Sequence, residues 1–342
     1  MPTHSTIMVT GGAGFIGSHT CVELLGHGYE VIVVDDYSNS SPQVVSRIQR
    51  VAGRFLGAVY EVDLRDRRTL SSVFDRHHVD AVVHFAGKKA AGESALIPIE
   101  YYDVNIGGTT ALLAAMQEHG VHQLVFSSSS SIHGDIDKGP PTEQDPDRPS
   151  NPYAASKWTC EQMLADVCRL RPEYTVLSLR YVNPVGTHPS GLLGGAPPGE
   201  PAHLRPSVAG MGVGGRERIV AIGGGKSAAA TSGVRDGIHV MDVAEAHRIA
   251  LEHLDDSTGL RVFNLGVGSG TSVFELLMAF GEVSGRTTPY EVVDPQPGDV
   301  AERVADPGAT TRERGRRAAR DFAALCRDTW CFHRLNPTGC AG

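Results

Sequence analysis

Two kinds of hydrophobic pattern alternate over the first part of the chain. Short runs of mostly apolar residues, such as YEVIVV, AVVHF and QLVF, have the length and the β-branched content of buried strands. Between them, segments such as DRRTLSSVFDRH and PYAASKWTCEQMLADVCRL carry apolar residues at helical spacing. Strands that alternate with helices over roughly 180 residues predict a parallel sheet covered on both faces, which is a doubly wound α/β fold.

The pattern changes at Thr187. The segment THPSGLLGGAPPGEPAHLRP is dense in glycine and proline and predicts a long loop region rather than sheet. At 342 residues the chain exceeds the usual size of a single core. We therefore predict a sheet domain over residues 1–187 and a smaller mixed α/β C-terminal domain over 188–342 that faces the substrate. The patterns of VRDGIHVMDVAEAHRIALEHL and RVFNLG predict that residues near 236–265 return to the first domain.

Composition excludes several classes of protein. Hydrophobic residues make up 41% and charged residues 20%, and no apolar run approaches the roughly 18 residues of a membrane span. The N-terminal sequence has no cationic, cleavable leader pattern, so we expect no signal peptide. A formal charge of −8 offers no basic face to nucleic acid. The six cysteines lack CxxC and zinc-type spacing, which predicts unpaired thiols in a reducing cytoplasm and no metal site.

The segment TGGAGFIG places Gly11, Gly14 and Gly17 between a predicted strand and a predicted helix. Glycine lets the backbone turn tightly and approach a pyrophosphate at the positive end of the helix. The pattern alone also fits a plain turn, but Asp35 ends the next strand, where a carboxylate would accept hydrogen bonds from the adenosine ribose. Because an acid there repels a 2′-phosphate, the sequence favours NAD over NADP.

Further cofactor contacts are predicted at the ends of the next two strands. Asp63 could receive the adenine amino group, although it could equally cap the following helix. The fourth strand ends on Phe85, Ala86 and Gly87, a small flat surface that suits a dinucleotide. With the glycine segment, the predicted contacts to NAD are Gly11, Gly14, Phe15, Ile16, Gly17, Asp35, Asp63, Leu64, Phe85, Ala86 and Gly87.

A possible catalytic pair lies in the segment YAASK. Tyr153 and Lys157 are four residues apart and therefore share one helix face. An adjacent ammonium and the nicotinamide's positive charge both favour a phenolate, so Tyr153 could remove a proton from a sugar or alcohol hydroxyl as hydride leaves for NAD. Lys157 would hold the charge and bond the nicotinamide ribose. A lone YxxxK more often marks an ordinary amphipathic helix with a solvated lysine, but here the serine run FSSSSSIHG ends the preceding strand.

These motifs together resemble a known family. The chain is similar to the UDP-glucose 4-epimerases, of the extended short-chain dehydrogenase/reductase superfamily, in the order and spacing of TGGAGFIG, HFAGKKAAGES, YYD, FSSS, NPYAASK, RYVNPVG, HPSG, GVRDGIHV, NLG, PGDVAE and a C-terminal W…NP…G. The resemblance covers essentially the whole chain. It implies a Rossmann-type domain with tightly held NAD, a UDP-hexose substrate, the catalytic residues Ser129, Tyr153 and Lys157, and a homodimer paired through the helices that hold TTALLAAMQ and CEQMLADV.

The resemblance also implies a substrate site. Lys89 matches a family lysine near the cofactor, Asn183 and Arg235 match sugar- and phosphate-contacting positions, and Asp299 matches an acid that binds ribose. The substrate contacts implied in this way are Lys89, Ser129, Ser131, Tyr153, Asn183, His203, Leu204, Arg235, Gln296 and Asp299.

The residues after Ser129 distinguish between related reactions. In the related nucleotide-sugar 4,6-dehydratases the next two positions are Asp and Glu, which move protons during loss of water. Here they are Ser130 and Ser131, which have no usable pKa for that work. The sequence therefore disfavours loss of water and favours 4-epimerisation through a transient 4-keto sugar. A nucleotide-sugar reductase on the same scaffold remains an open alternative, which would release its cofactor in each turnover. A catalytically silent NAD-binding regulator is disfavoured because Tyr153 and Lys157 are both present.

The chain departs from the family pattern at several positions. Gln296 stands where the family pattern has an arginine that is expected to pair with the diphosphate, and loss of such a contact is not a conservative change. Arg303 lies at a position where the residue type affects the room for an N-acetyl group. Two explanations remain open: neutral drift with compensation, or a paralogue that acts on another nucleotide sugar. The replacements are Val104 for Asn, His133 for Tyr, Val182 for Phe, His203 for Asn, Gly237 for Tyr and Gln296 for Arg.

Overall fold

The computed structural model describes residues 4–134, 139–195, 219–222, 234–286, 290–293, 302–314, 318–337 and 339. The strands are β1 (Thr6–Thr10), β2 (Glu30–Asp35), β3 (Ala58–Glu61), β4 (Ala81–His84), β5 (Gln123–Ser129), β6 (Thr175–Tyr181), β7 (Asn183–Val185), β8 (Ile219–Ile222), β9 (Val234–His239), β10 (Gly259–Leu265), β11 (Gly270–Thr271), β12 (Tyr290–Val293) and β13 (Glu302–Arg303).

The helices alternate with these strands. They are α1 (Phe15–Gly26), α2 (Gln43–Ala52), α3 (Arg67–Arg76), α4 (Ala91–Leu96), α5 (Pro98–Tyr102), α6 (Gly108–Glu118), α7 (Pro152–Leu170), α8 (Val240–Glu252), α9 (Val273–Ser284), α10 (Gly308–Arg314) and α11 (Phe322–Leu335). A π-helical turn (Asp103–Gly107) leads into α6, and a 3₁₀ turn (Ser130–His133) follows β5. In the described part of the chain, no helix is both long and apolar enough to cross a membrane.

The main sheet has seven strands in the order β10-β6-β5-β4-β1-β2-β3, and all its pairings are parallel. This confirms the predicted doubly wound fold. The strand order reverses between β1 and β4, because the chain passes from β1 to β2 on one side and later returns to β4 on the other. In such sheets a crevice for ligands opens at this reversal, beyond the carboxyl ends of the strands.

The core consists of one apolar layer on each face of this sheet. Alternate side chains of a strand point to opposite faces, so Ile7 and Val9 pack in one layer and Met8 in the other. Helices α1, α2 and α8 cover the first layer, and α3, α6 and α7 cover the second. The sheet is therefore buried on both faces, as its continuous apolar runs predict.

Two sequence predictions differ from the structure in the C-terminal half. The apolar run in EYTVLSLRYVNPVG predicts one strand over 173–186, but the chain forms β6 in the main sheet and β7 in a separate small sheet. In that sheet β9 pairs with β7, β11 and β13. The segment VRDGIHV thus lies in the small sheet rather than the main one, whereas RVFNLG forms the edge strand β10. The split follows Tyr181, where the main-sheet pairing with β5 and β10 ends.

Candidate active site

The glycine segment forms a tight turn between β1 and α1. Gly11 has a φ of 69°, and a Cβ atom there would lie 2.6 Å from the backbone nitrogen of Ala86. A Cβ at Gly17 would overlap the carbonyl oxygen of Gly11. Gly14 is the N-cap of α1 and provides no side-chain acceptor for its first N–H groups. These groups are therefore available to an anion, so this end of α1 fits a cofactor pyrophosphate.

Asp35 binds the glycine turn at the end of β2. Its Oδ2 atom accepts a hydrogen bond from the backbone N–H of Ala13 at 2.9 Å. Its Oδ1 atom accepts from the N–H of Tyr37 at 2.9 Å and from the hydroxyl of Ser40 at 2.8 Å. The predicted ribose acceptor is thus also a structural anchor, and a carboxylate is the group that can accept on both oxygens.

The alternative role of Asp63 as a helix cap is wrong. The N-cap of α3 is Asp66, whose side chain accepts from the N–H of Thr69. Asp63 instead pairs with the Arg65 guanidinium, which lowers the pKa of the Asp63 carboxyl. The adjacent Leu64 is buried. The predicted adenine contact of Asp63 stays a prediction.

The end of β4 lies against both the glycine turn and helix α7. The N–H groups of Phe85 and Ala86 donate to the carbonyl of Thr10 at 2.9 and 3.1 Å. Gly87 has a φ of 153°, and a Cβ there would lie 2.8 Å from Asn105 Oδ1 and 3.9 Å from Lys157 Nζ. Only a residue without a side chain fits this position. The predicted dinucleotide surface and the predicted catalytic lysine are therefore neighbours.

Lys89 and Phe15 connect the loop after β4 with the start of α1. The Lys89 ammonium lies 5.9 Å from the centroid of the Phe15 ring, within the range of a cation–π contact. The Lys89 side chain is reached by solvent, although surrounding protein partly desolvates the ammonium and lowers its pKa. Ile16, the next residue of α1, packs against the apolar core. Lys89 thus stands at the opening of the crevice, close to the turn that fits a pyrophosphate.

Helix α7 carries the Tyr–Lys pair. Its N-cap is Asn151, whose side chain accepts from the N–H of Ala154 at 2.9 Å, and Pro152 occupies the first position. Lys157 is only 6% exposed, and its ammonium donates to the carbonyl of Ser127 at 2.9 Å. The alternative of a solvated lysine is therefore excluded. Burial lowers the pKa of Lys157, and Tyr153 lies half-buried one turn earlier on the same face.

The serine run divides into residues with different partners. The hydroxyl of Ser127 is hydrogen-bonded to that of Tyr181, which gives Ser127 a structural role at the end of β5. The hydroxyls of Ser129 and Ser131 are hydrogen-bonded to each other, and Ser129 Oγ also accepts from the N–H of Ser131 at 3.2 Å. Ser129 is the N-cap of the 3₁₀ turn that carries Ser131, and the predicted substrate contacts of the two hydroxyls stay predictions.

The predicted substrate contacts are only partly described. The side-chain amide of Asn183 donates to the carbonyl of Asp236 at 3.3 Å, and Asn183 lies opposite Gly237 in the pairing of β7 with β9. Val182 is buried in the apolar core. Arg235 is placed by its backbone in β9, next to β11 and β13. Outside the described residues lie His203, Leu204, Gln296 and Asp299.

Sequence reasoning missed Asn105, which lies in the π-helical turn. Its Oδ1 atom accepts from the N–H of Lys88 at 2.8 Å, and its amide donates to the carbonyl of Lys88 at 3.0 Å. The amide also donates to the hydroxyl of Ser156 at 2.8 Å, and Ser156 donates to the carbonyl of Tyr153 at 2.7 Å. A mid-helix asparagine is unfavourable by propensity, and this was the available signal. π-Helical turns are frequent at functional sites.

The fold and these side chains define an NAD-dependent enzyme of the short-chain dehydrogenase/reductase type. A glycine turn and an acid lie at the sheet reversal, and a Ser–Tyr–Lys set lies beside them. The chain belongs to the NAD dependent epimerase/dehydratase family, whose model matches residues 7–266.

Relatives and solved structures agree with this assignment. The chain is 46% identical to a UDP-glucose 4-epimerase of Bacillus subtilis, over 97% of this chain and 98% of the relative. A structure of the Bifidobacterium longum UDP-glucose 4-epimerase in complex with NAD+ and UDP is 41% identical and superposes with a TM-score of 0.92, over 98% of this chain and 100% of that one. A Stenotrophomonas maltophila UDP-glucose 4-epimerase with bound NAD and formylated UDP-arabinopyranose is 42% identical, with a TM-score of 0.92 over 97% and 98% of the two chains. The resemblance predicted from the motifs is therefore confirmed.

Proposed function

We propose that this chain catalyses the NAD-dependent 4-epimerisation of a UDP-hexose, of the UDP-glucose and UDP-galactose type, through a transient 4-keto sugar. The observation that carries this proposal is the position of Lys157 on the Tyr153 face of α7. Its buried ammonium lies beside Gly87 at the sheet reversal and donates to the strand that ends in Ser129. The full-length similarity to UDP-glucose 4-epimerases supports the choice of reaction.

Each residue of the proposed site has a different role in the reaction. Tyr153 accepts the proton of the sugar's 4-hydroxyl, while a hydroxyl of the Ser129–Ser131 pair bonds the same oxygen. Lys157 stabilises the negative charge on the tyrosine oxygen, an effect that is strong because burial excludes water. NAD, when bound, would supply the acceptor for the hydride that leaves C4 of the sugar and, in its reduced form, the donor that returns it.

Epimerisation requires the 4-keto sugar to present its opposite face before the second transfer. Tyr153 then returns its proton to the sugar oxygen, and the stereochemistry at C4 is inverted. Ser130 and Ser131 have no carboxyl groups with which to catalyse loss of water. The reaction has no net redox change, so the cofactor stays bound between turnovers.

The test is a panel of nucleotide sugars incubated with the purified protein and no added NAD, and followed by NMR. We expect a UDP-hexose to be converted to its 4-epimer. Formation of a 4-keto-6-deoxy sugar would instead indicate a dehydratase, and a strict need for added NAD or NADH would indicate a net oxidoreductase. If an N-acetylated or otherwise modified sugar reacts and UDP-glucose does not, the chain is a specialised paralogue.

We further propose that the protein is a homodimer in the cytoplasm and binds neither nucleic acid nor membrane. Leu96 in α4 and Ile99 in α5 are 82% and 78% exposed, and α5 packs beside α7. In the proposed dimer, a second copy docks on α6 and α7 and also covers these side chains. Sedimentation equilibrium of Ile99→Lys should show a weakened dimer, whereas Phe55→Lys, an equally drastic change at another exposed apolar residue, should not.

A further inference from the structure

We propose that His84 and Thr109 are positioning residues. Through Asn105 they hold the catalytic helix α7 at a fixed distance from the end of β4. Neither side chain belongs to the set that would touch substrate or cofactor. The inference rests on the proposed function, because the distance matters only if Tyr153 reacts with a sugar held at the end of β4.

The first step is a chain of hydrogen bonds whose direction is fixed. The hydroxyl of Thr109 donates to the carbonyl of Asn105 at 2.6 Å. Because a hydroxyl has one proton, the bond of 3.0 Å between Thr109 Oγ1 and His84 Nε2 must have the imidazole as donor. His84 Nδ1 is then the acceptor for the hydroxyl of Thr10 at 2.7 Å.

The second step is that His84 stays in this one form. It is buried between β1 and α6, and burial lowers its pKa to about 3. A neutral imidazole with its proton on Nε2 satisfies both neighbouring hydroxyls. The series of hydrogen bonds from Thr10 through His84 and Thr109 to Asn105 is therefore complete, and each side-chain polar atom in it has a partner.

The third step connects this chain to the site. The backbone carbonyl of Asn105 accepts the hydrogen bond from the Thr109 hydroxyl. The Asn105 side chain is hydrogen-bonded to the backbone N–H and carbonyl of Lys88 and to the hydroxyl of Ser156. Lys88 follows Gly87 directly, and Ser156 donates to the carbonyl of Tyr153. The π-helical turn thus joins the end of β4 to the first turn of α7.

The consequence concerns catalysis more than binding. A reacting group displaced by about 1 Å can lose on the order of 100-fold in rate. Loss of the Thr109 hydroxyl removes the contact that orients the Asn105 carbonyl and leaves the His84 N–H without an acceptor. It changes no residue at the predicted substrate positions, so kcat should fall while KM changes little.

The experiment compares three variants of the full chain. Thr109→Val removes the hydroxyl at almost constant volume, and Thr109→Ser keeps it. Thr329→Val is the matched control, because Thr329 is also buried and its hydroxyl also donates to the carbonyl four residues earlier, at 2.7 Å, but in the remote helix α11. We expect Thr109→Val to lower kcat per bound NAD by about 10- to 100-fold, with KM and NAD content near those of wild type.

Thr109→Ser and Thr329→Val should both retain kcat within about 2-fold of wild type. If Thr109→Val keeps that rate, or if Thr109→Ser loses as much as Thr109→Val, the proposal is wrong. If Thr109→Val does not fold, Thr10→Val replaces it, because this change removes the hydroxyl at the other end of the same series of hydrogen bonds. The same results would then support or refute the proposal.

A second readout does not need turnover. Hydrogen–deuterium exchange of the peptide that begins α7 should be faster in Thr109→Val than in wild type, and unchanged in Thr109→Ser and Thr329→Val. Equal exchange in all four proteins would overturn the positioning role. A wild-type protein that does not epimerise any UDP-hexose would refute the proposed function, and the exchange comparison would still decide this inference.

Discussion

Replacement of Asp35 by Asn tests whether the acid at the end of β2 both anchors the glycine turn and selects the cofactor. The carboxylate accepts three hydrogen bonds, one on Oδ2 from Ala13 and two on Oδ1 from Tyr37 and Ser40. Asparagine has one carbonyl oxygen. If that oxygen keeps its two partners, the new NH2 group faces the N–H of Ala13, and two donors oppose each other.

The size of the effect follows from that geometry. A buried donor without an acceptor costs about 1 to 3 kcal/mol, and Asp35 is almost fully buried. We expect the protein without NAD to lose stability in this range. If the whole cost falls on cofactor binding, the affinity for NAD drops by about 5- to 150-fold. Because the negative charge is also removed, the preference for NAD over NADP should narrow.

The assay combines urea unfolding of the NAD-free protein with fluorescence titration of NAD and NADP. Asp36→Asn is the matched control, because the neighbouring carboxylate is exposed and accepts hydrogen bonds from the N–H and the hydroxyl of Ser38 within its own turn. The control should change the free energy of unfolding by less than about 0.5 kcal/mol. An Asp35→Asn protein that keeps wild-type stability, NAD affinity and NADP discrimination would refute the reasoning.

Three further predictions concern the reaction and the substrate. Tyr153→Phe removes only the proton-transferring oxygen, so turnover should fall by about 10²- to 10⁴-fold while NAD content is kept; more than about a tenth of wild-type activity would exclude Tyr153 as the base. Lys157→Met should abolish turnover and raise the Tm of the NAD-free protein. Burial lowers the pKa of Lys157, so the charged ammonium costs the folded protein stability as the pH falls below the ordinary pKa of lysine; a lower Tm across neutral pH would contradict this. Gln296→Arg should improve kcat/KM for UDP-glucose and UDP-galactose by about 10- to 150-fold if a diphosphate contact has been lost; a wild-type enzyme already near 10⁴ M⁻¹s⁻¹ that gains nothing would favour neutral drift.

The fold could be predicted from the sequence because each strand and helix of the main domain has its own short pattern of apolar residues. The apolar runs of β1, β2, β4, β5 and β6 are buried on both sides, which is the pattern of a parallel sheet. The glycine spacing and the acid at Asp35 predicted the turn. The spacing of Tyr153 and Lys157 predicted a shared face of α7, since helical geometry fixes it.

Other features depend on contacts that spacing does not encode. The sequence pattern made Asp63 a candidate cap of the following helix, but α3 begins at Arg67 and its N-cap is Asp66. Asn105 acts through a π-helical turn, a rare element without a reliable sequence pattern. The split between β6 and β7 follows from pairing with a strand some fifty residues later, as in the register of Asn183 with Gly237.

The most direct test of the proposed mechanism uses UDP-glucose that carries deuterium at C4, incubated in ordinary water with the purified protein and no added NAD. Hydride removal and return at one carbon predict UDP-galactose that retains the deuterium at C4, and the Tyr153→Phe protein should form almost none. Exchange of that deuterium with solvent during epimerisation would contradict the account, because it would mean that C4 is inverted through a proton transfer rather than through a 4-keto sugar.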